Sequence, residues 1–385
     1  MITRDLRYAV RRALAAAGLP PDADPGLRPA GIPGSYAASV ALTLGASPRA
    51  IAEVLAAALA SEQWIASVEV TGPGYLTVAV TPEALAAVAG NVTAEGAACV
   101  TSDALTGVSV PAAPPGDPLA AATWEEAGAA LAARLTARLA AAAGATVAEF
   151  AASERNRLTL PPDPSSSDPP EPFTGASPGS DIAGAVAFAG RDAVLFTLAR
   201  AVPGQPPRVD PAIIARHVPG NPAYAVRYAH ARAASGVRWA VASRGGDPPY
   251  PPLSRRSGPM AKTAIVSGPP AGTVRTGDTG VPLREATAPP RPPDDPAELA
   301  ILDALSWLPE RVATAARRGR PDEFARYLED LASVTIDVLS SASHPGRGTA
   351  PGSDRLILAG AARVGLAAGL GLLEVSAPER LLADK

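Results

Sequence analysis

Proline clusters divide this chain more sharply than any other feature of its sequence. Prolines crowd residues 111–118 and 161–172, and a third Pro/Gly-rich stretch occupies 246–297. Proline fixes φ and removes a backbone donor, so neither helices nor central strands continue through such clusters. With 43 prolines among 385 residues, we expect folded parts separated by long irregular segments, and we interpret 161–180 as a solvated linker.

The first 95 residues alternate between helical and strand patterns, which predicts a small α+β module over residues 1–95. Apolar residues recur at helical spacing in four stretches, so helices are predicted over 4–18, 35–45, 47–62 and 81–91. Two alternating stretches, "IASVEVTG" and "GYLTVAV", flank Gly72-Pro73-Gly74. They predict two strands that are joined by a tight turn.

Residues 96–182 have a different character, rich in proline and alanine. The stretch 123–144 is helical by alanine propensity but offers little to bury, so we expect a loosely packed segment that ends in the linker. From 183 to 385 the pattern is almost wholly helical apart from the proline-rich gap. We expect four or five antiparallel helices packed as a bundle.

Basic charge is concentrated in one part of the chain. The formal net charge is −3, yet residues 208–256 contain eight arginines against only Asp210 and Asp247. Such a concentration is typical of a phosphate-binding face, although a solvated helix face has the same composition.

The motif "NPAYAVRYAHARAASGVRWA", residues 221–240, lies inside this basic segment. Tyr224 and Tyr228 are one helical turn apart, so they could form a packing stripe. Tyrosine rings and arginines are also what an unpaired RNA loop requires, because its bases stack on both. Both interpretations stay open at this point, and for His230 we expect a structural hydrogen bond within the helix packing.

Composition excludes several kinds of site and segment. Cys99 is the only cysteine, so an intrachain disulfide and a cysteine-based zinc site are excluded, and a reducing compartment is indicated. The apolar stretch 356–373 contains Arg363 at its middle, which favours a buried bundle helix over a membrane span. We expect a cytoplasmic protein with no membrane contact, no metal and no cofactor.

Both ends of the chain resemble arginyl-tRNA synthetases. "NPAYAVRYAHAR" resembles the family motif N-P-V-Y-Y-V-Q-Y-A-H-A-R, and "GRDAVLFTLAR" and "GLAAGLGLLEVSAPERL" resemble other parts of the DALR anticodon-binding domain, in the family's order. "GSYAASVAL" and "VEVTGPGYLTVAV" resemble the additional N-terminal domain of the same enzymes. The resemblance implies a DALR-like helical domain over 183–385 and an additional-domain-like module over 1–95.

The catalytic domain that the family places between these parts has no counterpart that we recognise. Its signature H-x-G-H needs two histidines three positions apart, whereas the histidines here are His217, His230 and His344. "GPMAKTAIVSG", residues 258–268, resembles the second signature only faintly and follows the motif at 221–240, so we interpret it as a coincidence in a loop. We therefore expect the Rossmann-type catalytic domain to be absent, with residues 96–182 in its place.

The resemblance also assigns candidate tRNA-binding residues. The family positions that face the anticodon loop correspond to Ala225, Tyr228 and Arg232, and we add Tyr224 and Arg227 as candidates. Ala225 has lost an aromatic platform, whereas Arg227 replaces a glutamine with a cation that seeks phosphate. At the tRNA elbow the corresponding positions are Tyr75 and Thr77, with an ordinary alternating strand as the competing interpretation.

The leading functional prediction is a non-catalytic paralogue of arginyl-tRNA synthetase that binds tRNA, in particular arginine tRNA. The alternative is a regulatory or protein-interaction subunit whose RNA binding has decayed, with the full-length arginyl-tRNA synthetase as one candidate partner. Residual arginine-tRNA ligase activity is a third interpretation, and the missing signatures argue against it.

Overall fold

The computed structural model describes residues 1–45, 47–148, 181–244, 295–341 and 353–381. The predicted linker over 161–180 and the stretch 258–268 lie outside the described residues, as does all but the last three residues of the gap at 246–297.

The N-terminal part is the predicted α+β module. Its helices are α1 (Ile2–Ala16), α2 (Pro48–Leu59) and α3 (Pro82–Glu95), and its strands are β1 (Arg28–Pro29), β2 (Ser35–Ala38), β3 (Ile65–Thr71) and β4 (Tyr75–Val80). The strands form one antiparallel sheet in the order β1-β2-β4-β3. Leu76, Val78 and Val80 alternate into the core, as expected for a strand with one covered face.

The helix predicted over 35–45 is wrong. Ser35–Ala38 is a strand whose Tyr36 pairs with Val78, and Val40–Thr43 forms a single 3₁₀ turn. Tyr36, Ala38 and Val40 are buried with a period of two, and the 3₁₀ turn then buries Ala41 as well. Alanine favours helix by only a fraction of a kilocalorie per residue, about 0.7 kcal/mol at most over ordinary residues. Pairing with β4 and burial of the Tyr36 ring outweigh that preference.

The described part of the middle, residues 96–148, belongs to the folded core, which corrects the expectation of a loosely packed segment there. Helix α4 (Trp124–Ala142) has Leu131, Leu135 and Leu139 fully buried, and it packs against helices of the C-terminal part. Strands β5 (Ser109–Pro111) and β6 (Thr146–Ala148) flank α4 and pair in parallel. Parallel neighbours joined through a helix make a βαβ unit, the elementary repeat of doubly wound α/β folds.

The C-terminal part is helical, as predicted. Its helices are α5 (Ile182–Ala189), α6 (Arg191–Ala199), α7 (Pro211–Ile214), α8 (Pro222–Arg244), α9 (Pro296–Ser306), α10 (Leu308–Arg318), α11 (Pro321–Ser341) and α12 (Ser353–Leu372). Helix α8 packs mainly against α11 and α12, so one of its faces is left for solvent.

Helix α12 contains the stretch Arg355–Leu372, which has the length and hydropathy of a membrane span. Leu358, Leu366 and Leu370 on this stretch are buried among neighbouring helices. A Cβ at Gly369 would lie only 2.5 Å from the Leu328 side chain of α11, so the two helices approach closely where glycine leaves room. The helix is packed here as the bundle interpretation predicts.

The N-terminal module and the C-terminal helices share one hydrophobic core. Polar contacts cross between them: the Tyr36 hydroxyl lies 2.7 Å from Ser306 Oγ, and the Gly34 amide donates to Asp303 Oδ1 at 2.9 Å. The guanidinium of Arg7 on α1 donates to Glu310 Oε2 on α10 at 2.6 Å, with both side chains buried. These contacts hold the two ends of the chain in one body.

Candidate nucleic-acid interface

The loop before α8 is fixed by one buried side chain, Asn221. Its side-chain amide nitrogen donates to the carbonyl oxygens of Ile214 at 2.7 Å and Arg216 at 2.8 Å. Its main-chain carbonyl accepts from the Ala225 amide. Pro222 follows as the first residue of the helix, where its missing amide proton costs nothing. The loop and the first turn of α8 are thereby held in a defined relation.

Three of the predicted residues lie on the exposed face of α8, at Tyr224, Tyr228 and Arg232. The ring of Tyr224 lies between those of His217, with centroids 5.3 Å apart, and Tyr228, at 5.6 Å, and both pairs are close to parallel. We call these three rings the aromatic stack. Tyr228 is 36% exposed, and Arg232, one turn further on, is exposed and makes no ion pair with any described residue.

Sequence reasoning missed His217 as a member of this surface. The family resemblance begins at Asn221, four residues later, so nothing in the motif marked the histidine. One sequence signal could have identified it. His217 stands next to a proline- and glycine-rich loop that leads into a helix with the pattern Tyr-x-x-x-Tyr.

Arg227 occupies a different environment from Arg232. Its guanidinium lies 3.2 Å from Asp192 Oδ2 on α6 and donates to Ser376 Oγ at 3.4 Å. The carboxylate compensates its charge, so less of that charge is left for a phosphate. Its predicted RNA contact stays a prediction.

His230 and Arg238 hold the residues that follow α12, which we call the C-terminal segment (375–381). His230 is 2% exposed, and its Nδ1–H donates to the Pro378 carbonyl at 3.0 Å. Arg238 and Arg363 both contact the Glu379 carboxylate, at 3.2 and 2.9 Å. Burial, partly offset by the Pro378 hydrogen bond, lowers the pKa of His230. This environment gives His230 a structural position in the packing.

We expect the protein to lose stability as the pH falls below about 6.5, the ordinary pKa of histidine. Unfolded His230 takes up a proton before the buried imidazole does, so protonation favours unfolding in the window between the two pKa values. Urea unfolding at pH 7.5 and 5.5 measures the effect. His230→Asn, which can still donate to Pro378, should reduce this pH dependence, whereas the exposed control His217→Asn should retain it. If the free energy of unfolding of His230→Asn fell between pH 7.5 and 5.5 as much as that of the wild type, His230 would not be the source of the pH dependence.

The two predicted elbow residues lie together on the outer face of β4. Tyr75 is 44% exposed beside the turn, and Thr77 follows on the same face because Leu76 and Val78 point into the core. Thr77 pairs across the sheet with the exposed Glu69 of β3. Directly opposed side chains are about 5 Å apart, so this carboxylate lies next to Thr77 and opposes anion binding there. The elbow assignment of Tyr75 and Thr77 stays a prediction.

The amino end of α4, the helix of the βαβ unit, is capped by side chains of the protein itself. Thr123 Oγ1 accepts from the Glu126 amide, while the Glu126 carboxylate accepts from the amides of Ala122 and Thr123. Free amides at this position of an α/β unit are what bind phosphates. Asp117 in the preceding loop is in turn paired with Arg191, at 2.8 and 3.0 Å. The Glu126 carboxylate therefore lies where a phosphate site would need donors.

Family models match both ends of this chain. Residues 4–80 match the arginyl tRNA synthetase N terminal domain, and residues 279–381 match the DALR anticodon binding domain. The chain is arginyl-tRNA synthetase-like at both ends. Neither matched range includes α8, so the aromatic stack and Arg232 rest on the motif resemblance and on their geometry.

The curated proteins that this chain resembles are arginine–tRNA ligases. The arginine–tRNA ligase of Frankia alni is 35% identical over 198 residues, which cover 50% of this chain and 29% of the ligase. That of Paenarthrobacter aurescens is 32% identical over 200 residues, 51% of this chain and 30% of the ligase. The chain thus spans about 30% of the length of these relatives.

The arginyl-tRNA synthetase of Thermus thermophilus has the same fold, with a TM-score of 0.58 at 14% identity. The superposition covers 99% of this chain and 100% of that one. At this identity the likeness is one of fold alone. The predicted order, an N-terminal α/β part followed by a helical DALR region, is confirmed.

Proposed function

We propose that this protein binds tRNA through the exposed face of α8 and is a non-catalytic paralogue of arginyl-tRNA synthetase. The observation that carries the proposal is the aromatic stack of His217, Tyr224 and Tyr228, with the uncompensated Arg232 one helical turn beyond it. Stacked rings that remain partly exposed offer π-faces to unpaired bases, and an arginine without an acidic partner attracts phosphate.

Packing alone explains this face less well than RNA binding does. A structural stripe buries its rings, as α4 buries its leucines, whereas Tyr228 and His217 remain exposed. Arg216 and Arg232, which flank the stack in sequence, make no ion pair with any described residue. Their charges remain available to the counterion-releasing contacts that dominate nucleic-acid affinity.

The absence of catalysis is the second part of the proposal. The sequence contains no pair of histidines with the H-x-G-H spacing. Thr123 and Glu126 occupy the amino end of α4 with their own hydrogen bonds. An adenylate-forming site needs both the histidine pair and free amides that bind phosphate. We therefore expect no arginine-dependent exchange of pyrophosphate into ATP. Exchange that survives removal of contaminating synthetase would contradict this part alone.

Filter binding of arginine tRNA at several salt concentrations tests the RNA-binding part. About three phosphate contacts should weaken binding roughly 20- to 40-fold between 50 and 200 mM salt. Arg232→Ala should reduce the log–log slope by about one unit. Tyr228→Ala should weaken binding by about 1–3 kcal/mol with little change in slope, because stacking releases no counterions.

Arg227→Ala is the matched control, since it removes the same side chain from the same helix. Asp192 already compensates Arg227, so its slope should change less than that of Arg232→Ala. A wild-type protein that binds no tRNA at low salt would overturn the proposal. The protein-interaction subunit then becomes the better interpretation, and pull-down with the full-length arginyl-tRNA synthetase is its test.

A further inference from the structure

A cleft of about 770 Å³ opens beside the first turn of α8. Its walls come from α6, from the loop between α6 and α7, from α7 and from one turn of α11. Asn221, Pro222 and Ala223 also line it, so the cleft reaches the residue immediately before Tyr224. The aromatic stack and the cleft therefore adjoin along the chain.

One side of the cleft is apolar. Phe196 lies at its floor and is fully buried, and Ile213 on α7 is 53% exposed at the wall. Pro206 and Pro207 extend this surface from the connecting loop. Rigid apolar walls with a large exposed aliphatic side chain suit a flat, partly apolar group such as a nucleobase.

Three arginines line the same cleft, and they differ in how far their charge is compensated. Arg200 pairs with Glu329 at 2.6 Å, and Arg326 lies 3.6 Å from Asp322. Arg208 is exposed and makes no ion pair with any described residue. The cleft thus contains one arginine without an ion pair to a described residue and two arginines that are paired with carboxylates.

We propose that this cleft holds one nucleotide unit of the RNA strand that the aromatic stack engages, a step that rests on the proposed function. Arg208 contacts the phosphate of that unit, and its base lies against Ile213 and the prolines. Strand-binding grooves combine positive charge along the backbone with aromatic faces for the bases. Here Arg208 supplies the charge, and Ile213 and the prolines supply an apolar surface beside the aromatic stack. The interface then runs continuously from Arg208 through the stack to Arg232.

Cleft variants in the same salt titration test the inference. Arg208→Ala should reduce the slope by about 0.7–0.9 unit, the contribution of one phosphate contact. Arg208→Lys should restore most of the slope, because the charge is retained. Ile213→Ala should weaken binding severalfold at constant slope. Arg318→Ala, on the separate helix α10, controls for the loss of any exposed arginine.

Photo-crosslinking with 4-thiouridine-containing tRNA gives a second, positional readout. We expect adducts on the tryptic peptide 209–216, which contains Ile213. Suppose that Arg232→Ala reduces the slope, that Arg208→Ala and Ile213→Ala bind RNA as the wild type does, and that no crosslink falls on peptide 209–216. The cleft assignment is then overturned and the proposed function stands. If wild-type protein binds no RNA, both are overturned. A cleft whose variants impair binding of a protein partner but leave RNA binding intact also contradicts the inference.

Discussion

Arg7→Ala should lower the free energy of unfolding by about 3–5 kcal/mol, the usual cost of leaving a buried charge without its partner. The guanidinium bridges two carboxylates, Glu310 Oε2 at 2.6 Å and Asp24 Oδ1 at 2.9 Å. The side chains of Arg7 and Glu310 are only 3% and 6% exposed, so water cannot take over the lost hydrogen bonds. Urea unfolding monitored by circular dichroism measures the change.

A double variant distinguishes the desolvation of the charges from simple loss of contacts. Replacing both partners, as in Arg7→Met with Glu310→Met, should cost less than either single replacement, because no buried charge is then left unpaired. The exposed pair of Arg49 and Glu53 is the control, and Arg49→Ala should change stability by roughly 1 kcal/mol or less. A loss below about 1 kcal/mol in Arg7→Ala would show that solvent reaches the pair.

This ion pair joins the two parts of the chain that resemble separate domains of a longer enzyme. Arg7 is in the N-terminal module, and Glu310 lies on α10, within the range matched to the DALR domain. Tyr36, whose ring lies 5.1 Å from that of Trp307, adds an aromatic contact across the same boundary. Because one core spans the boundary, Arg7→Ala should weaken both parts together, in one transition.

Local signals in the sequence were sufficient for much of the fold. Ser47-Pro48 and Thr81-Pro82 mark the starts of α2 and α3, although only Thr81 accepts the capping hydrogen bond, from the Ala84 amide. The Gly72-Pro73-Gly74 turn joins β3 to β4 as predicted. A Cβ at Gly74 would lie 2.8 Å from the Pro48 carbonyl carbon, so the turn requires glycine for a contact that only the structure reveals.

The remaining errors come from interactions between distant residues. Nothing near Ser35 in the sequence indicates that it will pair with a strand that begins forty residues later, so an alanine-rich stretch was predicted as helix. Likewise, Arg227 and Arg232 are equivalent by sequence pattern, and only the position of Asp192 on α6 separates their roles. Helical spacing identified the face of Tyr224, Tyr228 and Arg232 because that face depends on one helix alone.

Leu135→Ala should lower the free energy of unfolding by about 2–5 kcal/mol, the range observed when a large aliphatic side chain is removed from a closed core. Leu131, Leu135 and Leu139 recur every four residues on α4 and are fully buried, and α4 packs against α6 and α10. The small alanines around them cannot expand to fill the space that a missing leucine leaves. Urea unfolding of the full chain, monitored by circular dichroism, gives the value.

Ala133→Ser on the exposed side of the same helix is the control, since it changes helix propensity by less than about 0.7 kcal/mol and buries nothing. A loss within that range for Leu135→Ala would restore the interpretation of residues 96–182 as a loosely packed replacement segment. The predicted larger loss would instead make α4 the support for α6, whose Asp192 fixes Arg227 and whose end lines the cleft beside the aromatic stack. In that case the βαβ unit contributes to the packing that holds α8, the helix that we propose binds RNA, in place.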